Sequence, residues 1–126
     1  MPKTIPSIPS APTPLGPYSP ATEANGFVFL SGQVGLDPAT GAPVGVEVAA
    51  QTHQTMRNIG AMLGDLGLGY QDIVKTTIFL ADIADFPSVN EAYAEYVEDS
   101  RPARSTVGVA ALPGGFRVEI EVVAAR

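Results

Sequence analysis

The sequence predicts an α+β fold in which a mixed β-sheet carries two helices on one face. Runs rich in apolar and β-branched residues predict four strands, at residues 27–34, 73–80, 105–110 and 116–124. Between them, apolar residues at helical spacing predict two helices, at about 47–66 and 87–97. A chain of 126 residues with 45% hydrophobic residues suits one domain, residues 1–126, with one modest core.

A proline-rich arm precedes the first predicted strand. Residues 1–20 hold seven of the chain's 12 prolines. Proline fixes φ and lacks a backbone donor, so the arm is predicted to be extended or an irregular edge strand. Tyr18 lies near its end. It is either a turn residue that packs its ring on the body or a hydroxyl that lines a cleft.

Several small or polar residues inside the predicted elements indicate a particular local structure or role. Gly32 follows Ser31 in the first strand, where a glycine is typical of a bulge or of close approach by another group. Gly60 and Gly64 in the first helix indicate close approach to the sheet. His53 is the chain's one histidine, and it has no second metal ligand at helical spacing. A surface or packing role is therefore favoured for it.

The last two strands are predicted to pair as an antiparallel hairpin, because residues 112–115 (Leu-Pro-Gly-Gly) make a tight turn. Such a hairpin would bring Arg104, at the entrance of one strand, close to Glu119, partway along the other. Two helices cover only one face of the sheet, so we expect the other face to form the interface of a closed, symmetric oligomer. The apolar residues expected on that face are Ile73, Phe79, Val107 and Val109.

Charge and composition exclude several classes of protein. The net charge is −6, and outside a local patch at Arg101, Arg104 and Arg117 the chain lacks the basic groups that non-specific nucleic-acid binding needs. Polybasic adhesion to membranes is excluded on the same ground. With no cysteine, the chain offers no disulfide and no thiolate for catalysis or metal binding. No segment has the length of a bilayer span and no secretory leader is recognisable, so we expect a cytoplasmic protein without a membrane partner.

Arg104 and Glu119 are the strongest candidates for chemistry. A guanidinium holds a carboxylate through two parallel hydrogen bonds, a geometry that lysine cannot reproduce. A carboxylate inside a mostly apolar strand is costly to bury, which indicates a use such as handling a proton or a water. Structural interpretations stay open: Arg104 as a solvated or salt-bridged surface residue, and Glu119 with Glu121 as the solvent-facing side of a half-buried strand. Asn90 is likewise either a capping residue or an amide aimed at a site.

Six short motifs, in order, make the chain resemble a known family from Gly16 onward. They are Gly16-Pro-Tyr18-Ser, Leu30-Ser31-Gly-Gln33, Ile73-Val-Lys-Thr-Thr77, Phe86-Pro-Ser-Val-Asn90-Glu-Ala-Tyr93, Pro102-Ala-Arg104-Ser and Val118-Glu119-Ile-Glu121. With these motifs the chain resembles the Rid family of reactive intermediate deaminases, also called the YjgF family. It is most similar to the RidA branch, which carries the arginine found here as Arg104.

The resemblance implies a chorismate-mutase-like α+β fold and a homotrimer with a β-barrel-like core and three clefts between subunits. It implies hydrolysis of reactive enamines, 2-aminoacrylate or 2-aminocrotonate, through their 2-imino acid tautomers to 2-oxo acids and ammonia. No metal and no organic cofactor is implied. Arg104 and Glu119 would be catalytic. The residues that would bind the substrate together with Arg104 are Tyr18, Ser31, Gly32, Asn90 and Thr106.

Thr106 departs from the family pattern, because well-known bacterial members have a cysteine at this position. Its hydroxyl can stand in place of the thiol, while the preferred substrate stays open. Two other functions stay open as well. The same cleft could sense a small carboxylate in a regulatory protein. The chain could also be an endoribonuclease, which its net charge of −6 and its lack of aromatic residues beside basic ones disfavour.

Overall fold

The computed structural model describes residues 2–126, which form two α-helices and five strands in the predicted α+β arrangement. The strands are β1 (Ala21–Ala24), β2 (Phe27–Gln33), β3 (Ile73–Leu80), β4 (Ala103–Gly108) and β5 (Val118–Ala125). The helices α1 (Val48–Asp65) and α2 (Phe86–Val97) lie close to their predicted bounds, whereas β1 was not predicted. No helix formed by residues 2–126 has both the length and the apolar character needed to cross a membrane.

The five strands form one mixed sheet in the order β1-β2-β5-β3-β4. β3 and β4 pair in parallel, and every other neighbouring pair is antiparallel. The predicted hairpin between the last two strands is therefore wrong, since β3 lies between them. β5 buries Val118, Ile120 and Val122 on its inner face. A strand this apolar is protected best in the centre of the sheet, where neighbours on both sides satisfy its backbone groups.

One hydrophobic core lies between the sheet and both helices. The core residues from the helices include Met56, Ile59, Met62, Leu63, Val89, Tyr93 and Val97. The expectation that Gly60 and Gly64 approach the sheet is wrong. A Cβ on Gly60 would overlap the hydroxyl of Tyr70, which donates a 2.7 Å hydrogen bond to the Met56 carbonyl, and Gly64 has no such neighbour.

The face of the sheet opposite the helices is uncovered in the single chain and carries several large apolar side chains beside Glu119 and Glu121. Phe27 and Phe29 on β2 are each 44% exposed and Val107 on β4 is 43% exposed, while Phe79 is half-buried. The expectation that Ile73 lies on this face is wrong. A register shift directly after it in β3 turns Ile73 into the core, where it is 3% exposed.

The N-terminal arm pairs with the sheet at its start, in keeping with the predicted irregular edge strand, and then turns at residues 8–11. Thr4 and Glu23 of β1 exchange two backbone hydrogen bonds of 2.9 Å, so the start of the arm pairs with the edge of the sheet. Further along, Ser10 donates to the Asp65 carboxylate from its backbone N at 2.9 Å and from its hydroxyl at 2.6 Å. These bonds hold the pKa of Asp65 below its ordinary value. They fix the arm to the end of α1.

Candidate active site

Glu119 lies in a cleft of about 620 Å³ that is bounded by β2, β5 and the arm. Its side chain leaves the sheet on the face opposite the helices, because its neighbours in sequence point into the core. Tyr18, Ser31 and Gly32 line the same cleft, which we call the Glu119 cleft. The structure thus brings together four of the residues that the sequence predicts for the site.

Gly32 leaves the space that the Glu119 carboxylate occupies. A Cβ on Gly32 would overlap Oε2 of Glu119 and would lie 2.9 Å from its Cδ. The pairing of β2 with β5 shifts register between Leu30 and Gln33, so Gly32 lies in a bulge, as a glycine at this point of a strand predicts. Any larger residue at this position would displace the carboxylate.

Burial raises the pKa of Glu119 above its ordinary value, and the nearby charge of Glu121 raises it further. Glu121 lies two residues on along β5 and also lines the Glu119 cleft. A carboxyl group with a raised pKa takes up and releases a proton near neutral pH more readily than an ordinary glutamate does. The cleft therefore holds a group suited to general acid–base chemistry.

Arg104 lies on the edge strand β4, and α2 holds its side chain. Its Nη1 donates to Oδ1 of Asn90 at 2.7 Å. The guanidinium carbon is 5.4 Å from the centre of the Phe86 ring and 5.3 Å from the centre of the Tyr93 ring, both within cation–π range. A 2.7 Å hydrogen bond between the Tyr93 and Thr76 hydroxyls fixes the second ring. Side chains of α2 therefore orient the guanidinium.

Arg104 has no carboxylate partner within residues 2–126. In contrast, Arg117 binds Asp85 at 2.9 Å and Arg126 binds Glu23 at 2.7 Å. An interpretation of Arg104 as a salt-bridged surface residue is therefore not supported in the single chain. The guanidinium keeps donors beyond the one that Asn90 uses, in the planar arrangement that suits an incoming carboxylate.

Thr106 places a hydroxyl without a hydrogen-bond partner beside Arg104. Its Oγ1 is buried, and no donor or acceptor in residues 2–126 bonds to it. Arg104 and Thr106 line one groove, and their spacing puts both on the same face of β4. Buried polar atoms in proteins nearly always have partners, so this orphaned hydroxyl indicates a position for a ligand atom or an ordered water.

The two groups of site residues do not meet within one chain. Arg104 pairs with Thr76 and Glu119 pairs with Phe79, on the two sides of β3. Thr76 is fully buried under the helices and Phe79 lies on the opposite face, so Arg104 and Glu119 leave the sheet on opposite faces. Their Cα atoms are separated by two inter-strand spacings across the sheet and by three residues along the strands. Together these displacements amount to roughly 14 Å. The prediction that they are near neighbours, which rested on the hairpin, is wrong for a single chain.

Sequence reasoning missed the contribution of Phe86 and Tyr93, which it placed only in the apolar stripe of α2. The sequence does contain a pattern that indicates this contribution. Phe86, Asn90 and Tyr93 follow the spacing i, i+4, i+7, which puts an amide between two rings on one helix face. His53 lies outside both groups. Its Nδ1 is 2.9 Å from the Tyr96 hydroxyl, in keeping with the predicted packing role.

Comparisons with known proteins place the chain in a family. The family model described as Endoribonuclease L-PSP matches residues 8–126. Reactive Intermediate Deaminase A, chloroplastic, of Arabidopsis thaliana is 52% identical over 122 residues, which are 97% of this chain and 65% of that protein. The 2-iminobutanoate/2-iminopropanoate deaminase of Mus musculus is 46% identical over 118 residues, which are 94% of this chain and 87% of that protein.

The fold also matches solved structures. The crystal structure of Escherichia coli TdcF with bound serine aligns with a TM-score of 0.86 and 36% sequence identity. The alignment covers 93% of this chain and 94% of that one. The chain thus spans nearly all of TdcF but just under two thirds of the plant relative's length.

Proposed function

The chain belongs to the Endoribonuclease L-PSP family, and we propose that it hydrolyses 2-imino acids to 2-oxo acids and ammonia. The substrates would arise as the enamines 2-aminoacrylate and 2-aminocrotonate, released by pyridoxal-phosphate enzymes, and tautomerise to imines. The observation that carries the proposal is Arg104, an oriented guanidinium with no carboxylate partner in residues 2–126. The relatives from A. thaliana and M. musculus bear the names of such deaminases. We propose the cytoplasm as the compartment, although the plant relative is named chloroplastic.

Arg104 anchors the one fixed charge of such a substrate, its carboxylate, through two parallel hydrogen bonds. The reacting C=N group is attached directly to that carboxylate, so the same clamp also positions the electrophilic carbon. The orphaned hydroxyl of Thr106 donates a further hydrogen bond to the bound carboxylate. Asn90, Phe86 and Tyr93 act through Arg104 and are positioning residues.

Glu119 carries protons between water and the imine nitrogen. In the first step the water oxygen bonds to the imine carbon, the π electron pair moves to nitrogen, and Glu119 transfers a proton from the water to that nitrogen. In the second step Glu119 transfers the hydroxyl proton to nitrogen, the C–N bond breaks, and ammonia leaves as the C=O bond forms. Tyr18, Ser31 and Gly32 line the cleft around these atoms. The reaction needs no metal and no organic cofactor.

The two halves of the site would meet between copies of the chain. Arg104 and Glu119 lie on opposite faces of the sheet. A contact that brings them together would therefore join the β4 edge of one copy to the helix-free face of the next copy. Heterologous contacts that close form a ring, and the smallest such ring has three members. We therefore propose a homotrimer with three clefts and a barrel-like core. The uncovered apolar face with Phe27, Phe29 and Val107 would line that core.

A binding role is the second candidate. TdcF holds serine, a small amino acid with the carboxylate group that Arg104 would anchor. A regulatory protein that senses small carboxylates would use the same cleft but would need no proton carrier. The raised pKa of Glu119 therefore favours the enzyme. Although the family is named for an endoribonuclease, we do not propose RNA cleavage, because a net charge of −6 opposes binding to a polyanion.

A coupled assay tests the proposal. The chain should accelerate release of pyruvate or 2-oxobutanoate, with ammonia, when it is added to a serine or threonine dehydratase reaction. Arg104→Ala should lose at least about 100-fold in kcat/KM while keeping its fold by circular dichroism. Arg57→Ala is the matched control, since Arg57 is exposed on α1 and hydrogen-bonds Gln54 outside both halves of the site.

Two results would count against the deaminase. Full acceleration by Arg104→Ala would show that the guanidinium does not anchor the substrate. Calorimetric binding of small carboxylates by the wild-type chain, without turnover of any imine, would favour the regulatory role instead.

A further inference from the structure

The proline-rich arm forms one wall of the Glu119 cleft, and hydrogen bonds hold it at two points. Upstream, Ser10 donates to the Asp65 carboxylate at 2.9 and 2.6 Å. Downstream, Ser31 donates its backbone N at 2.9 Å and its hydroxyl at 2.7 Å to the carbonyls of the arm's last two residues. The segment 11–18, which borders the cleft, therefore has fixed ends.

Prolines stiffen the segment between these two anchors. Pro12, Pro14 and Pro17 each fix φ, which limits the positions open to the intervening residues. Leu15 lies within this segment, is 97% exposed, and lines the Glu119 cleft. A single exposed leucine is ordinary on a protein surface, but one that a stiffened segment holds at the wall of a cleft is in a position to contact a ligand.

The rest of the cleft is large and partly apolar. Leu36 and Phe116 also line it, together with the polar residues of the candidate site. Its volume of about 620 Å³ is several times that of a three-carbon acid. A 2-imino acid whose carboxylate is held by Arg104 of a neighbouring copy, and whose C=N group lies at Glu119, would project its substituent into the remaining space of the cleft.

We propose that Leu15 is a specificity-determining residue that contacts the substituent of the imino acid and favours bulky aliphatic substituents over a methyl group. This inference rests on the proposed function and adds to it the part of the substrate that the arm recognises. The hydrolysis itself is unchanged, because Leu15 offers only apolar surface. One methylene group against an apolar wall is worth about tenfold or more in kcat/KM, so the effect is measurable.

The test compares two imines, made in situ from leucine and from alanine by an amino-acid oxidase. Semicarbazone formation measures the imine that remains, and the readout is the ratio of kcat/KM for 2-imino-4-methylpentanoate to that for 2-iminopropanoate. Leu15→Ala should lower this ratio about tenfold, chiefly through the larger substrate. Leu15→Met conserves apolar volume and should keep the ratio within about threefold of the wild-type value.

Ile5→Ala is the matched control, because Ile5 lies on the same arm, is 60% exposed, and does not line the Glu119 cleft. Its ratio should equal that of the wild type, and all variants should elute alike on size exclusion. An unchanged ratio in Leu15→Ala, with hydrolysis of 2-iminopropanoate intact, would overturn this inference alone. An equal fall in Ile5→Ala would also overturn it. A wild-type chain that hydrolyses neither imine would overturn the proposed function as well.

Discussion

The two halves of the site place oppositely charged side chains in opposite environments. Arg104 lies on the edge strand β4, where it is exposed and packs against side chains of α2. Glu119 lies on the central strand β5, half-buried beside the bulge at Gly32. Burial raises the pKa of the Glu119 carboxyl group above its ordinary value.

In the roles we propose, this contrast separates an exposed anchor for an anion from a partly buried carrier of protons. A guanidinium at an exposed edge is accessible to an incoming carboxylate, which it can bind through two parallel hydrogen bonds. A carboxyl group that exchanges protons with water works better partly buried, because desolvation moves its pKa toward neutral pH. The sheet supplies both environments on opposite faces. One copy of the chain therefore holds both groups but cannot use them together.

Mixing two inactive variants is the sharpest test of whether the site is shared between copies of the chain, and it has the largest expected effect. Arg104→Ala and Glu119→Gln each remove one half of the site and should each lose at least about 100-fold in kcat/KM. When the two variants are refolded together in equal amounts, each mixed trimer would contain one intact cleft. Activity in the coupled assay should then return to about a quarter of the wild-type value. Recovery no greater than that of either variant alone would contradict a site shared between copies.

Gly32→Ala tests the Glu119 half alone. The added Cβ would overlap the carboxylate and displace it, so kcat should fall about 10- to 100-fold, while calorimetric binding of a small carboxylate at Arg104 should persist. Gly64→Ala is the matched control, because its Cβ would meet no atom within 4 Å. It should keep full activity and stabilise the chain by up to about 1 kcal/mol in urea unfolding. Unchanged kcat in Gly32→Ala would show that the carboxylate position does not matter.

Thr106→Val tests the Arg104 half, with a smaller effect. The loss of one neutral hydrogen bond to the substrate should raise KM about three- to tenfold, and Thr106→Ser should retain the wild-type value. Because Oγ1 has no partner in residues 2–126, the valine variant should unfold at the same or a higher urea concentration than the wild type. A destabilised valine variant with normal KM would assign the hydroxyl a structural role instead.

The smallest expected effect is the pH dependence of stability at Glu119. Its folded-state pKa is raised, so its contribution to stability is fully present below the unfolded pKa and is lost as pH rises through the folded pKa. Glu119→Gln avoids this loss and should be more stable than the wild type at pH 7, by less than about 1 kcal/mol for a partly exposed group. The gain should vanish near about pH 4. Urea unfolding at both pH values measures it, and a larger gain at the lower pH would contradict the burial of the carboxyl group.

Local patterns in the sequence determined much of the fold and of the candidate site. β-branched runs and helical spacing predicted the longer strands and both helices, because these patterns reflect which face each element buries. The glycine at position 32 predicted a bulge, since side-chain size acts locally. The motifs that resemble the Rid family indicated Arg104 and Glu119 as candidates, and membership of that family is confirmed.

Only the tertiary structure decided which strands pair and which face each side chain takes. The turn at 112–115 indicated a hairpin of β4 and β5, but β5 lies in the centre of the sheet between β2 and β3. Strand pairing depends on apolar surface that distant segments contribute, which a local turn does not reveal. The register of β3 with β4 and β5 then set Arg104 and Glu119 on opposite faces. The sequence by itself thus indicated which side chains are candidates for the chemistry. The long-range hydrogen bonds between strands set the strand order and register, and these keep Arg104 and Glu119 apart within a single copy.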